Sequence, residues 1–208
     1  MIRAVVLLSG RGSNFKALLE AGLPVQFTAA ISNRPDAAGL DYARARNIPA
    51  IGLDHTRHPS REAFDQALVQ EIEKAGADLV ILAGYMRILT KAFVERYQGR
   101  LINIHPSLLP AFPGLHTHES ALAEGVKIHG CTVHFVTPQL DHGPIIIQAA
   151  VPVQPDDTAE TLAARVLVQE HTIYPLAVKW FAEGRLVISD GVVNVINPVQ
   201  SQSVLATH

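Results

Sequence analysis

Apolar residues in this chain come in short, unbroken blocks. "AVVLLS" (4–9), "FTAAIS" (27–32), "IPAIGL" (48–53), "DLVILAG" (78–84) and "LINI" (101–104) each have strand length and no polar alternation. Such blocks fit strands buried on both faces. Between them the spacing switches to that of helices. "NFKALLEAG" (14–22) reads as a helix ending at Gly22, and "KAFVERY" (91–97) as a short one. "AAGLDYARARN" (37–47) is a third, weakened by Gly39. "REAFDQALVQEIEKA" (61–75) puts Phe64, Leu68, Ile72 and Ala75 on one face, with Ser60 placed to cap its start. Strands alternating with helices predict an α/β fold: a mostly parallel, twisted sheet with helices on both faces.

The pattern changes after residue 118. "GCTVHFVT" (130–137) and "PIIIQAAVPV" (144–153) are extended segments joined by "PQLDHG", which predicts an antiparallel pair toward the C-terminus. A long helical pattern covers about 157–183, started by Asp156 or Asp157 and expected to break near Pro175. "LVIS" and "VVNVI" suggest a small hairpin turning at Asp190-Gly191. Residues 197–208 read as a flexible tail. With no repeat and no linker, one domain is expected over 1–208.

Composition narrows the classes. The chain has 208 residues, 48% of them apolar, and a formal net charge of −2. That argues against a broad basic face for nucleic acid. A single cysteine, Cys131, allows no internal disulfide and suits a reducing compartment. No apolar stretch reaches the length of a membrane span. A soluble, cytoplasmic protein is expected, and a homodimer stays open as an assembly.

Three stretches carry candidate chemistry. "SGRGSN" (9–14) follows the first strand and opens the first helix, so the amides of Gly12, Ser13 and Asn14 can meet a phosphate there. The same stretch also serves as a plain strand-to-helix turn capped by Ser13. A dinucleotide is disfavoured, because Asn33 and Arg34 stand where an acidic ribose contact belongs. Asn103 and His105, two apart on a strand, point the same way at its carboxyl end. An amide donor beside an imidazole suits an oxyanion forming at a carbonyl carbon. Pro106, Pro110 and Pro113 stiffen the loop that follows. Asp141 can orient the imidazole, or can simply be a turn residue. His116, His118, His129, His134 and His142 have no compact zinc spacing, so no metal is expected. Cys131, inside an apolar strand, reads as core.

"LSGRGSN", "LAGYMRIL", "NIHPSLLPAFPGLHTH", "HGCTVHFVTPQLDHGPIIIQ" and "VQEHTIYP", in order over about residues 4–185, resemble the phosphoribosylglycinamide formyltransferase family, folate-dependent enzymes of purine synthesis. The resemblance implies a Rossmann-like formyltransferase fold and 10-formyltetrahydrofolate as co-substrate. It implies that residues 1–100 form a phosphate-binding half and 101–190 a catalytic and folate-binding half. Gly12, Ser13 and Asn14 would hold the phosphate of glycinamide ribonucleotide, and Glu170 its ribose. Arg61, Met86, Arg87, Ile88, Leu89, Thr137 and Leu140 would contact the folate. Asn103, His105 and Asp141 would be catalytic. His142 departs from the pattern, where a small residue is expected. A sugar-amine formyltransferase, a deformylase and a non-catalytic nucleotide-binding module remain as alternatives. A methionyl-tRNA formyltransferase is disfavoured by the near-neutral charge.

Overall fold

Five parallel strands build the first half of the chain. In the computed structural model, which describes residues 1–197 and 201–206, the chain packs as two units, Met1–Asn103 and Ile104 onward. In the first unit, β1 (Ile2–Leu8) lies between β2 (Val25–Ser32) and β4 (Leu79–Leu82). β3 (Ala50–Gly52) flanks β2, and β5 (Leu101–His105) flanks β4 as far as Asn103. The chain thus runs outward from β1 to β3 and then returns to start β4 on the other side of β1. The loops leaving β1 and β4 meet at this reversal, where open α/β sheets take their ligands. Ala4 to Leu8 and Leu79 to Ile81 are wholly buried, as unbroken apolar blocks require.

The first unit's helices are α1 (Ser13–Glu20), α2 (Gly39–Arg44), α3 (Arg61–Lys74) and α4 (Lys91–Arg96). Ser60 caps α3 as expected, its hydroxyl accepting the Ala63 N–H at 3.1 Å. Only six residues of the predicted 37–47 helix form one. It begins at Gly39, where a Cβ would stand 3.0 Å from both the Gly10 oxygen and the Gly12 Cα. Gly39 is therefore the residue that lets α2 pack against the turn before α1.

In the second unit, β6 (Ile128–Phe135) and β7 (Ile145–Pro152) pair antiparallel, as predicted, with a bulge between Val133 and His134. The 24-residue α6 (Ala159–Ala182) packs on both strands. Two expectations about it need correction. Thr158, not Asp156 or Asp157, is its N-cap, in a reciprocal capping box with Thr161. Asp157 instead binds Arg165 at 2.6 and 2.8 Å from the turn before the helix. Nor does the helix break at Pro175; it runs straight on to Ala182. Ile173, Tyr174, Ala177 and Val178 around the ring are fully buried, and that packing outweighs the lost hydrogen bond.

A short helix absent from the sequence reading, α5 (Thr117–Ala123), follows the proline loop. The terminal hairpin, β8 (Leu186–Ser189) and β9 (Val192–Val195), turns at Asp190 and Gly191, both at positive φ. The expected tail 197–208 falls partly outside the described residues. Within them, β10 (Ser203–Leu205) adds a parallel edge to β7.

Candidate active site

β5 ends on His105, one residue beyond the predicted strand, and carries Asn103 two positions before it. His105 is buried, and both its ring nitrogens face oxygen. Nε2 lies 2.9 Å from the Phe112 carbonyl, and Nδ1 lies 3.6 Å from Asp141 Oδ1. A ring so placed can donate to both only when it carries two protons. The pair is shielded from water, at 7% and 9% side-chain exposure.

Asp141 is fixed on its other side by the Gly114 N–H, which donates to Oδ2 at 2.8 Å. One carboxylate thereby joins the imidazole to the proline loop. Asp141 itself sits at φ 51, a left-handed position that aspartate tolerates better than most residues. The following loop is equally constrained. A Cβ on Gly143 would overlap the Phe135 carbonyl oxygen, so glycine is required there.

The proline loop is held by more than its prolines. Thr132 Oγ1 accepts the Leu109 N–H at 3.1 Å and donates to the Ser107 carbonyl at 2.7 Å. Gln148 Nε2 donates to the Leu109 carbonyl at 2.9 Å, and Ser107 Oγ to the Ala111 carbonyl at 2.6 Å. Thr117 closes the far end by donating to the Pro106 carbonyl at 2.7 Å. The Phe112 carbonyl that meets His105 is thus a placed group, on a residue at φ 50. The sequence reading named the prolines and missed Thr132, Gln148 and Phe112. Period-2 alternation on β6 and β7 would have aimed Thr132 and Gln148 at a common face.

Beside this loop His129 Nε2 lies 3.2 Å from His118 Nδ1, and the Phe112 ring packs edge-on against His129. Burial, then the neighbouring His118, pushes the His129 imidazole from its ordinary 6.5 down to about 4. The unfolded chain takes up this proton near pH 6.5, the folded one only near pH 4. The stability contributed by neutral His129 is therefore complete above about pH 6.5 and is lost as pH falls through 4. Urea midpoints measured from pH 7 to pH 4.5 are expected to fall less steeply for His129→Asn than for the wild type. Parallel curves would refute this.

In the first unit Gly12, not Ser13, caps α1, in the left-handed conformation at φ 72 and with no side-chain cap bond. A Cβ there would stand 2.7 Å from the Gly39 Cα. Ser13 and the buried Asn14 open the helix, whose first turn holds no acidic side chain, so nothing there repels an anion. Met86 and Ile88 stand exposed on the loop after β4, at 69% and 57%. Arg87 lies 4.9 Å above the Phe64 ring of α3, while Arg61 is exposed at that helix's start. Asp65 pins the end of the same loop by accepting the Thr90 N–H at 2.7 Å.

In the second unit, Thr137 Oγ1 donates to the Gln139 carbonyl at 3.2 Å, and Leu140 and His142 are exposed. Glu170, on α6, is buried near Cys131 and Tyr174. Cys131 is fully buried, and burial, with Glu170 adding, pushes its thiol well up. Among the described residues, no three or more His, Cys, Asp or Glu side chains gather to hold a metal, and no helix is long and apolar enough to cross a membrane.

The sequence profile of formyl transferases matches residues 2–178. The chain belongs to the formyl transferase family. This formyl transferase is 52% identical over 186 residues to the phosphoribosylglycinamide formyltransferase of Escherichia coli (strain K12), covering 88% of each. It is 44% identical over 192 residues to the Homo sapiens trifunctional purine biosynthetic protein adenosine-3, covering 90% of this chain and 19% of that one. The crystal structure of glycinamide ribonucleotide transformylase 1 from Symbiobacterium toebii matches it with a TM-score of 0.92, at 50% identity over 95% of both chains. The mostly parallel sheet with antiparallel strands after it is the fold of formyl transferases.

Proposed function

We propose that this formyl transferase moves the formyl group of 10-formyltetrahydrofolate to the amine of glycinamide ribonucleotide, in purine biosynthesis. The observation that carries the chemistry is the His105–Asp141 pair at the end of β5. The amine nitrogen attacks the formyl carbon, and the carbonyl oxygen takes up negative charge. Asn103 and protonated His105 donate to that oxyanion. For His105, the substrate oxygen replaces the Phe112 carbonyl as the Nε2 acceptor. The intermediate collapses as the bond from carbon to the folate nitrogen breaks. The proton lost by the amine ends on that nitrogen, so the sum is balanced. Asp141 offsets the imidazolium charge and fixes the ring.

Gly12, Ser13 and Asn14 hold the substrate phosphate by backbone amides at the start of α1. Glu170 takes the ribose hydroxyls. Arg61, Met86 to Leu89, Thr137 and Leu140 contact the folate. Residues 1–100 are on this reading the phosphate-binding half and 101–190 the catalytic half, within a single functional domain.

The test is an absorbance assay with 10-formyltetrahydrofolate, with and without glycinamide ribonucleotide. Folate turnover is expected only when the ribonucleotide is present. Turnover without it identifies a deformylase. Turnover only with an amino sugar identifies a sugar-amine formyltransferase. No turnover with any of these leaves a binding module.

A further inference from the structure

Ser9 is the first residue after β1, and it is 6% exposed. Its backbone N–H donates to the Gly84 carbonyl at 3.1 Å. Its hydroxyl accepts the Met86 N–H at 2.8 Å and donates to Asn33 Oδ1 at 2.5 Å. Asn33, 5% exposed, follows β2, and its carbonyl accepts the His55 Nδ1 proton at 2.8 Å. One serine therefore ties together the loops that leave β1, β2 and β4, at the reversal of strand order. Its single proton is spent on Asn33, and a lone pair on Met86. The loop from Tyr85 to Leu89 has no regular structure of its own. Its position follows from Ser9 at one end and from Asp65 at the other.

We propose that Ser9 is a positioning residue for both substrates. Its hydroxyl fixes the offset between the turn at residues 10–14 and the loop at residues 85–89. This rests on the assignment of the first to the phosphate and of the second to the folate. Removing the oxygen frees the Met86 N–H and orphans the Asn33 acceptor, so both surfaces lose their common reference.

In steady-state kinetics, Ser9→Ala is expected to raise KM for the ribonucleotide and for the formyl-folate by about tenfold each, the scale of one lost buried hydrogen bond. The kcat should stay within about twofold. A merely structural serine would instead lower the melting temperature and the active fraction, reducing kcat at unchanged KM. Asn33→Asp keeps an acceptor for the hydroxyl and should keep both KM values near wild type. Asn33→Leu removes the acceptor that orients the hydroxyl and should raise both KM values in the same direction as Ser9→Ala, and the double variant should be no worse than Ser9→Ala alone. If Ser9→Ala does not fold, the Asn33→Asp and Asn33→Leu pair makes the same comparison. Wild-type KM values in Ser9→Ala, or equal KM values in the two Asn33 variants, overturn the proposal. Arg87→Ala and Gly12→Ala are run beside these. If they leave KM unchanged, the assignment of the loops to substrates is what has failed.

Discussion

His105→Ala is expected to cut kcat by about 10²–10³, the usual cost of losing one oxyanion donor from a preorganised site. The imidazole meets both the Phe112 carbonyl and the Asp141 carboxylate. His134 Nδ1 is turned toward the Phe135 carbonyl, at 2.9 Å. The fold should survive, because the proline loop keeps its bonds to Thr132, Gln148 and Thr117. Asp141→Asn is a graded control. It retains an oxygen for the Gly114 N–H and loses the charge beside the imidazole, so its kcat should fall less. Circular dichroism and kcat on purified variants decide the matter. A His105→Ala enzyme within about tenfold of wild type would end the assigned role of the imidazole.

Gly12→Ala is the second large effect. The residue is left-handed, φ 72, and its new methyl would lie 2.7 Å from the Gly39 Cα. That neighbour is backbone and cannot swing aside. Strain and overlap together should cost about 2–4 kcal/mol of stability. Because the turn must open to relieve the overlap, the amides of Ser13 and Asn14 should also leave their alignment. A KM for the ribonucleotide raised about tenfold or more is expected, since 1.4 kcal/mol of lost binding is a factor of ten. Chemical denaturation and steady-state kinetics measure the two parts. A variant with wild-type stability and KM would show that the Gly12–Gly39 contact does not shape the turn.

That contact also shows where the sequence was legible and where it was not. Gly39 looked like a flaw in a helix because propensity is local, and its partner lies 27 residues away, at Gly12. Pro175 misled for the same reason. A proline within a helix is unfavourable by itself, and only the burial of its neighbours makes it tolerable. β1 and β4 were readable, since doubly buried strands leave unbroken apolar blocks, whereas β3, with no buried residue, shrank from the expected 48–53 to three residues. The Asn103–His105 spacing was readable too, because side chains alternate on any strand. The distance from His105 to Asp141 was not, since the two stand 36 positions apart with the proline loop, α5 and β6 between them. The carbonyl of Phe112 was beyond reach altogether: a backbone oxygen has no letter in the sequence.

Cys131 is the chain's one thiol, wholly enclosed in β6. A sulfur so enclosed, and held as the unreactive thiol, is deaf to alkylating reagents until the strand comes apart. The molecule thus contains its own reporter. Under weak labelling conditions the modified fraction counts openings of the sheet that supports the histidine, with no engineered probe and no competing signal from a second sulfhydryl.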